Sequence, residues 1–261
     1  MHIFTHYDII HKVVLCWKRH ADRIGFNKRF IRKERNRDNL TTVAIDGPAG
    51  AGKSTISKKA ASTFGFVYID TGAMYRAVGL KAVREGVNTT DEEGVTALLD
   101  SIDIDIRHDG VEQHVYLDGE DVSALIRTPE ISMAASNVSK IPAVRLALVS
   151  MQRRLAENHD VVMDGRDISS YVLPDAEVKI FLTASVDARA KRRYDELCQK
   201  GEKVTLEEVK EDMLVRDKND STREFAPLKV VEGAQVIDTS DLTLEESVEA
   251  VIDYIRKSLM K

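Results

Sequence analysis

From residue 41 onward the apolar positions alternate between two spacings. Short apolar runs read as strands: Thr42-Val43-Ala44-Ile45, Phe66-Val67-Tyr68-Ile69, Val161-Val162-Met163-Asp164, Val178 to Leu182, and Ala234-Gln235-Val236-Ile237. Between them apolar residues recur at helical spacing. Ile56, Ala60 and Phe64 fall at i, i+4, i+8. Pro142 opens a long helix whose stripe is Val144, Leu148, Met151 and Leu155. Glu207 to Asp220 reads as a helix, and Leu244, Val248, Val251, Ile252 and Ile255 mark a last amphipathic one. Alternating strands and helices predict an α/β fold. One stretch breaks the rhythm. Ile102, Ile104 and Ile106 alternate with charged residues, and Val115 and Leu117 do so beyond Asp109-Gly110, which predicts a hairpin with an Asp-Gly turn. An antiparallel hairpin in an α/β chain reads as an inserted subdomain.

Chemistry concentrates where strands end. After the first strand comes Gly47-Pro48-Ala49-Gly50-Ala51-Gly52-Lys53-Ser54-Thr55, the G-x-x-x-x-G-K-[ST] phosphate-binding loop, in its required strand–loop–helix setting. Its glycines let main-chain N–H groups gather round a polyphosphate, and the following helix adds positive partial charge. Lys53 can reach the β- and γ-phosphates, and Ser54 can ligate Mg²⁺. The second strand runs into Asp70-Thr71-Gly72-Ala73-Met74-Tyr75-Arg76, and the third into Gly165-Arg166-Asp167; both lie at carboxyl ends, where doubly wound sheets bind ligands. For Thr71 a helix cap competes with a ligand role. Ser136 and Arg145 lie off the stripe of the helix that Pro142 opens, and a cap and a surface charge compete there. The run Arg189-Ala190-Lys191-Arg192-Arg193 is either a solvated face or a lid carrying arginines onto phosphate. Arg216, Asp220 and Arg223 share a face if the helix persists that far, as an ion-pair cluster or a grip on phosphate and ribose.

Charge and composition narrow the partners. The 261 residues are 43% apolar and 31% charged, with a net charge of −5. Residues 1–40 carry ten Lys/Arg against four Asp/Glu, leaving −11 on the rest, the wrong sign for a nucleic-acid binder. That basic extension is expected to be poorly ordered. Cys16 and Cys198 have no metal or disulfide spacing, and no apolar run approaches a membrane span, so no membrane partner is expected and the cytoplasm is the expected location.

In order and spacing the P-loop, Asp70 to Arg76, Asp164-Gly165-Arg166-Asp167, and Arg216…Asp220…Arg223 before Ala226-Pro227-Leu228 resemble the bacterial cytidylate (CMP) kinase family. The resemblance covers Thr41 to the C-terminus. It implies a P-loop NTPase fold: a parallel five-stranded core with helices on both faces, a lid segment at about 186–215, and a small antiparallel substrate subdomain inserted at about 98–130. It implies transfer of a phosphoryl group from ATP to CMP or dCMP, with Mg²⁺, in a monomer. Thr71, Tyr75 and Arg76 then belong to the CMP site, with Arg76 on its phosphate. Ser136, Arg145 and Asp167 read the cytosine edge, and Arg166 binds phosphate. Arg216, Asp220 and Arg223 take sugar and phosphate, and Arg192 and Arg193 belong to the lid. Asp164 orients a Mg²⁺-bound water. The chain departs from the pattern after Ile168: Ser169-Ser170 stand where the family commonly has Gly-Thr, beside the base pocket. Two other classes compete, a nucleotide-switched regulator and a kinase for another small substrate. The Asn-Lys-x-Asp run of a GTPase switch does not appear.

Overall fold

The computed structural model describes residues 40–110 and 112–260; the expectation for the N-terminal extension falls outside them. Two compact units emerge. One comprises Thr41–Gly72, Arg107–His114 and His159–Lys261, and the other Ala73–Ile106 and Val115–Asn158.

The first unit is built on a five-stranded sheet of β1 (Thr42–Asp46), β2 (Val67–Asp70), β6 (Val161–Gly165), β7 (Val178–Thr183) and β8 (Gln235–Asp238). The order is β2-β6-β1-β7-β8 and every pairing is parallel. All five strands expected from the apolar runs are present. β1 is central and buried from Val43 onward, so its apolar run is continuous rather than alternating. Helix α1 (Lys53–Phe64) and the C-terminal helix α8 (Leu244–Leu259) pack Ile56, Ala60, Val251 and Ile255 against Val43, Ile45, Val162 and Ile180. Each of the Val and Ile side chains contributes about 1.5–3 kcal/mol of apolar burial. Two helices, α7 (Leu206–Thr222) and α8, begin with complete capping boxes, Thr205 with Glu208 and Thr243 with Glu246.

The second unit has its own core. Helix α2 starts at Thr71, at the end of the first unit, and runs to Arg84. Its Met74, Ala77 and Val78 join Val144, Leu148 and Met151 of α5 (Pro142–Ala156) and Ile104, Ile106, Val115 and Leu117 of the hairpin. The hairpin strands β3 (Ile104–Asp109) and β4 (Glu112–Leu117) make a three-stranded antiparallel sheet with β5 (Glu120–Asp121). Gly110 supplies the turn at φ 61°. The hairpin's tip counts with the first unit: Gln113 accepts from the Asp70 N–H at 2.8 Å and donates to the Asp70 carbonyl at 3.2 Å. Helices α3 (Glu92–Leu98) and α4 (Pro129–Val138) were not evident from spacing. Among the described residues no helix is long and apolar enough to cross a membrane.

Candidate active site at the carboxyl edge of the sheet

β1, β2 and β6 end in Asp46, Asp70 and the Asp164-Gly165 pair, brought side by side by the parallel register. The loop from Gly47 begins there. Gly47 has φ 153°, and a Cβ on it would run into the Leu182 carbonyl, so no other residue fits without displacing β7. At Gly52 the φ of 86° turns the chain into α1 with no side-chain cap on its first N–H groups. Lys53 is buried and donates to the Pro48 carbonyl at 2.7 Å. The Ser54 hydroxyl donates to Asp164 Oδ2 at 3.0 Å, and the Tyr68 hydroxyl to Asp164 Oδ1 at 3.2 Å. Burial, then repulsion from Arg166, pushes the Lys53 ammonium down to about 7. Burial and the neighbouring Asp70 push Asp164 up to about 7. Both groups are thus poorly solvated for the charges they carry, as expected where a charged ligand is to bind.

Arg166 and Asp167 follow β6. Arg166 Nε donates to Asp220 Oδ2 at 2.6 Å, and Arg223 Nη2 donates to Asp167 Oδ1 at 3.2 Å. Burial alone would raise Asp220, but Arg166 and Arg223, with Arg216 behind them, hold it below its ordinary value. The helix does not persist to Arg223, contrary to the shared-face condition. α7 stops at Thr222, and Arg223 is extended (φ −62°, ψ 141°), which aims its guanidinium back at Asp167. Thr71 donates its hydroxyl to the Asp164 carbonyl at 2.8 Å. So Lys53, Ser54, Thr71, Arg166, Asp167, Asp220 and Arg223 gather within one unit.

Tyr75, Arg76, Ser136 and Arg145 belong to the other unit. Arg145 is 0% exposed, which removes the surface-charge reading. It donates to the Ser139 carbonyl at 3.2 Å and lies 5.6 Å from the Tyr75 ring centroid. Ser136 sits inside α4, not in a cap. The basic run belongs to α6 (Val186–Gln199). There Arg192 donates to the Thr239 hydroxyl and carbonyl, and Arg193 pairs with Glu196 at 2.7 Å.

Two residues were missed. Arg189, read only as part of the basic run, is buried. It donates to the Ala184 and Ala49 carbonyls, both at 2.9 Å, and pairs with Asp217 at 2.7 Å, tying the P-loop to α7. Its position one turn ahead of Arg192 and Arg193 was the available signal. Asp46 lies one residue beyond the apolar run of the first strand, where spacing gives it no role. It is buried and accepts from the Ile168 and Ser169 N–H groups.

The cytidylate kinase family model matches residues 43–257. The chain belongs to the cytidylate kinase family. A cytidylate kinase of Caldicellulosiruptor bescii is 54% identical over 215 residues, 82% of this chain and 95% of that one. Another, from Caldanaerobacter subterraneus subsp. tengcongensis, is 56% identical over 221 residues, 84% of this chain and 97% of that one. A third, from Lactobacillus johnsonii, is 48% identical over 225 residues, 86% of this chain and 98% of that one. The gathered lysine, hydroxyls and arginines stand at the carboxyl edge of the five-stranded parallel sheet, in a chain of a kinase family. The matched span begins at Val43, so the basic extension lies outside it.

Proposed function

We propose that this chain transfers the γ-phosphoryl group of ATP to CMP, and to dCMP, giving ADP and the nucleoside diphosphate. The observation that carries this reading is the cluster of Lys53, Ser54 and Asp164 at the P-loop beside the Arg166–Asp220 and Arg223–Asp167 pairs, in a chain of this family. The site residues fit a polyphosphate and a Mg²⁺ ion. The start of α1 lacks a side-chain cap, and a hydroxyl lies against a carboxylate at Ser54–Asp164. Ser54 would hold Mg²⁺ and Asp164 would orient its water; the bound ion supplies charge neutralisation.

The acceptor oxygen of CMP is already anionic, so no general base is required. An in-line attack forms the new P–O bond as the bond to the departing ADP oxygen breaks, and the enzyme's contribution is positioning and positive charge. Residues Gly47 to Thr55 take the ATP phosphates, and Lys53 and Arg166 face the transferring group. Arg76, with Thr71 and Tyr75, serves the CMP phosphate. Ser136, Arg145 and Asp167 read the base, and Arg216, Asp220 and Arg223 take the sugar and phosphate. We assign the substrate-binding insert to about 98–130 and the lid to about 186–215. A lid role requires Arg192 to exchange Thr239, and Arg193 to exchange Glu196, for phosphate. The reading is completed by a cytoplasmic monomer with small-molecule partners, in keeping with the −11 charge outside the basic extension.

A coupled ADP-release assay with ATP, Mg²⁺ and a panel of nucleoside monophosphates tests it. Turnover with CMP and dCMP well above UMP, AMP and GMP is expected. ATP hydrolysis without turnover of any monophosphate overturns it.

A further inference from the structure

The carboxylate that ends β1 has no role in the family pattern described above, yet it grips the turn next to Asp167. Asp46 is 1% exposed. Its Oδ1 accepts from the Ile168 N–H at 2.7 Å, and its Oδ2 accepts from the Ser169 N–H at 2.8 Å and the Ser169 hydroxyl at 2.5 Å. Three donors, all from the two residues after Asp167, therefore converge on one side chain. Asp167 is held on its other sides as well. Its carbonyl accepts from the Tyr171 and Val172 N–H groups at 2.9 and 3.1 Å, and its carboxylate accepts from Arg223. The hydroxyl at 169 belongs to the position where Ser replaces the common Gly, so this chain carries a donor that glycine cannot supply.

We propose that Asp46 is a positioning residue for acceptor recognition: it fixes the 168–169 main chain, and through it Asp167, with the Ser169 hydroxyl as a third tether. This rests on the reading of Asp167 as a contact to the acceptor's base. A purely structural carboxylate would disturb both substrates alike, because Asp46 also precedes Gly47. The geometry separates the two. The P-loop leaves from the main chain of Asp46, which β1 pairs in register with Gly165 of β6 and Phe181 of β7. The turn at 168–169 is tethered by the side chain. Altering the carboxylate therefore loosens the acceptor side and leaves the P-loop path held by the sheet.

Steady-state kinetics of wild type, Asp46→Asn and Ser169→Ala test this, with ATP, CMP and UMP each varied and thermal melts run alongside. An amide in place of the carboxylate sets one N–H against another. Asp46→Asn is expected to raise KM for CMP about tenfold and to lower the CMP-over-UMP preference, with KM for ATP within about twofold. Ser169→Ala keeps both main-chain donors, so it should move the same quantities in the same direction by about threefold, and it carries the test if Asp46→Asn does not fold. Parallel rises in the CMP and ATP constants, or a lowered melting temperature with KM for CMP unchanged, overturn the proposal while wild-type turnover of CMP stands. A wild type that does not turn over CMP overturns the functional reading beneath it.

Discussion

In the parallel-sheet unit the buried guanidiniums end on carboxylates. Arg166 meets Asp220, Arg223 meets Asp167, and Arg189 meets Asp217. In the other unit the fully buried Arg145 donates to a main-chain carbonyl and lies over the Tyr75 ring. The ion pairs form a chain in which each member's charge supports its neighbour, and breaking one leaves a buried charge. The carbonyl and the ring face that Arg145 meets carry no formal charge, so these two contacts are of a different kind. The first arrangement suits a site that keeps its geometry while phosphate charge arrives and leaves.

The largest effect that could break this contrast is at Lys53. Lys53→Ala should lower kcat about 10³-fold, as loss of a charge aimed at the transferring group does. Because burial holds this ammonium well below its ordinary value, its removal should leave the melting temperature unchanged or raised. A variant losing activity and stability together would show that Lys53 belongs to the structural ion-pair chain.

Asp220→Ala should cost about 3 kcal/mol in urea denaturation, because Arg166 and Arg223 lose a shared buried partner. Arg145→Met should raise KM for CMP about tenfold, while costing less in urea denaturation than Asp220→Ala. Equal stability losses in the two variants would erase the distinction between the units.

The smallest signal is protonic. With Lys53 near 7, much of it is neutral at pH 8, and a bound polyphosphate restores its charge. ATP binding at pH 8 should then take up a fraction of a proton approaching one, and this uptake should shrink at pH 6, where Lys53 is already charged. Calorimetry in two buffers of different ionisation enthalpy measures it. Zero uptake at pH 8 would mean that Lys53 keeps its full charge in the free protein.

The parallel-sheet unit was largely legible in the sequence because its chemistry is main-chain chemistry. A phosphate loop needs its glycines, lysine and hydroxyl consecutively, so Gly47 to Thr55 announces itself. Arg166-Asp167 was visible for the same reason, lying directly at a strand end. In the other unit Ser136 and Arg145 are single residues on separate helices, and spacing alone left each with a cap or a surface charge as rival. The burial of Arg145 removed its surface-charge rival, and burial depends on packing that no local pattern encodes. The role proposed for each comes from resemblance to a family.

By itself the sequence determined the strands, the long helices, the hairpin and the phosphate loop, because each rests on periodicity or on contiguous residue types. Tertiary structure alone decided which side chains from distant segments share a contact. It ended α7 at Thr222 and turned Arg223 back to Asp167, a partner 56 positions away. It buried Arg189 against the P-loop carbonyl of Ala49, 140 positions away, and closed Asp46 onto Ile168 and Ser169. Such contacts join residues whose separation along the chain carries no periodic signal, and they exist only once the parallel sheet has set the ends of its strands side by side.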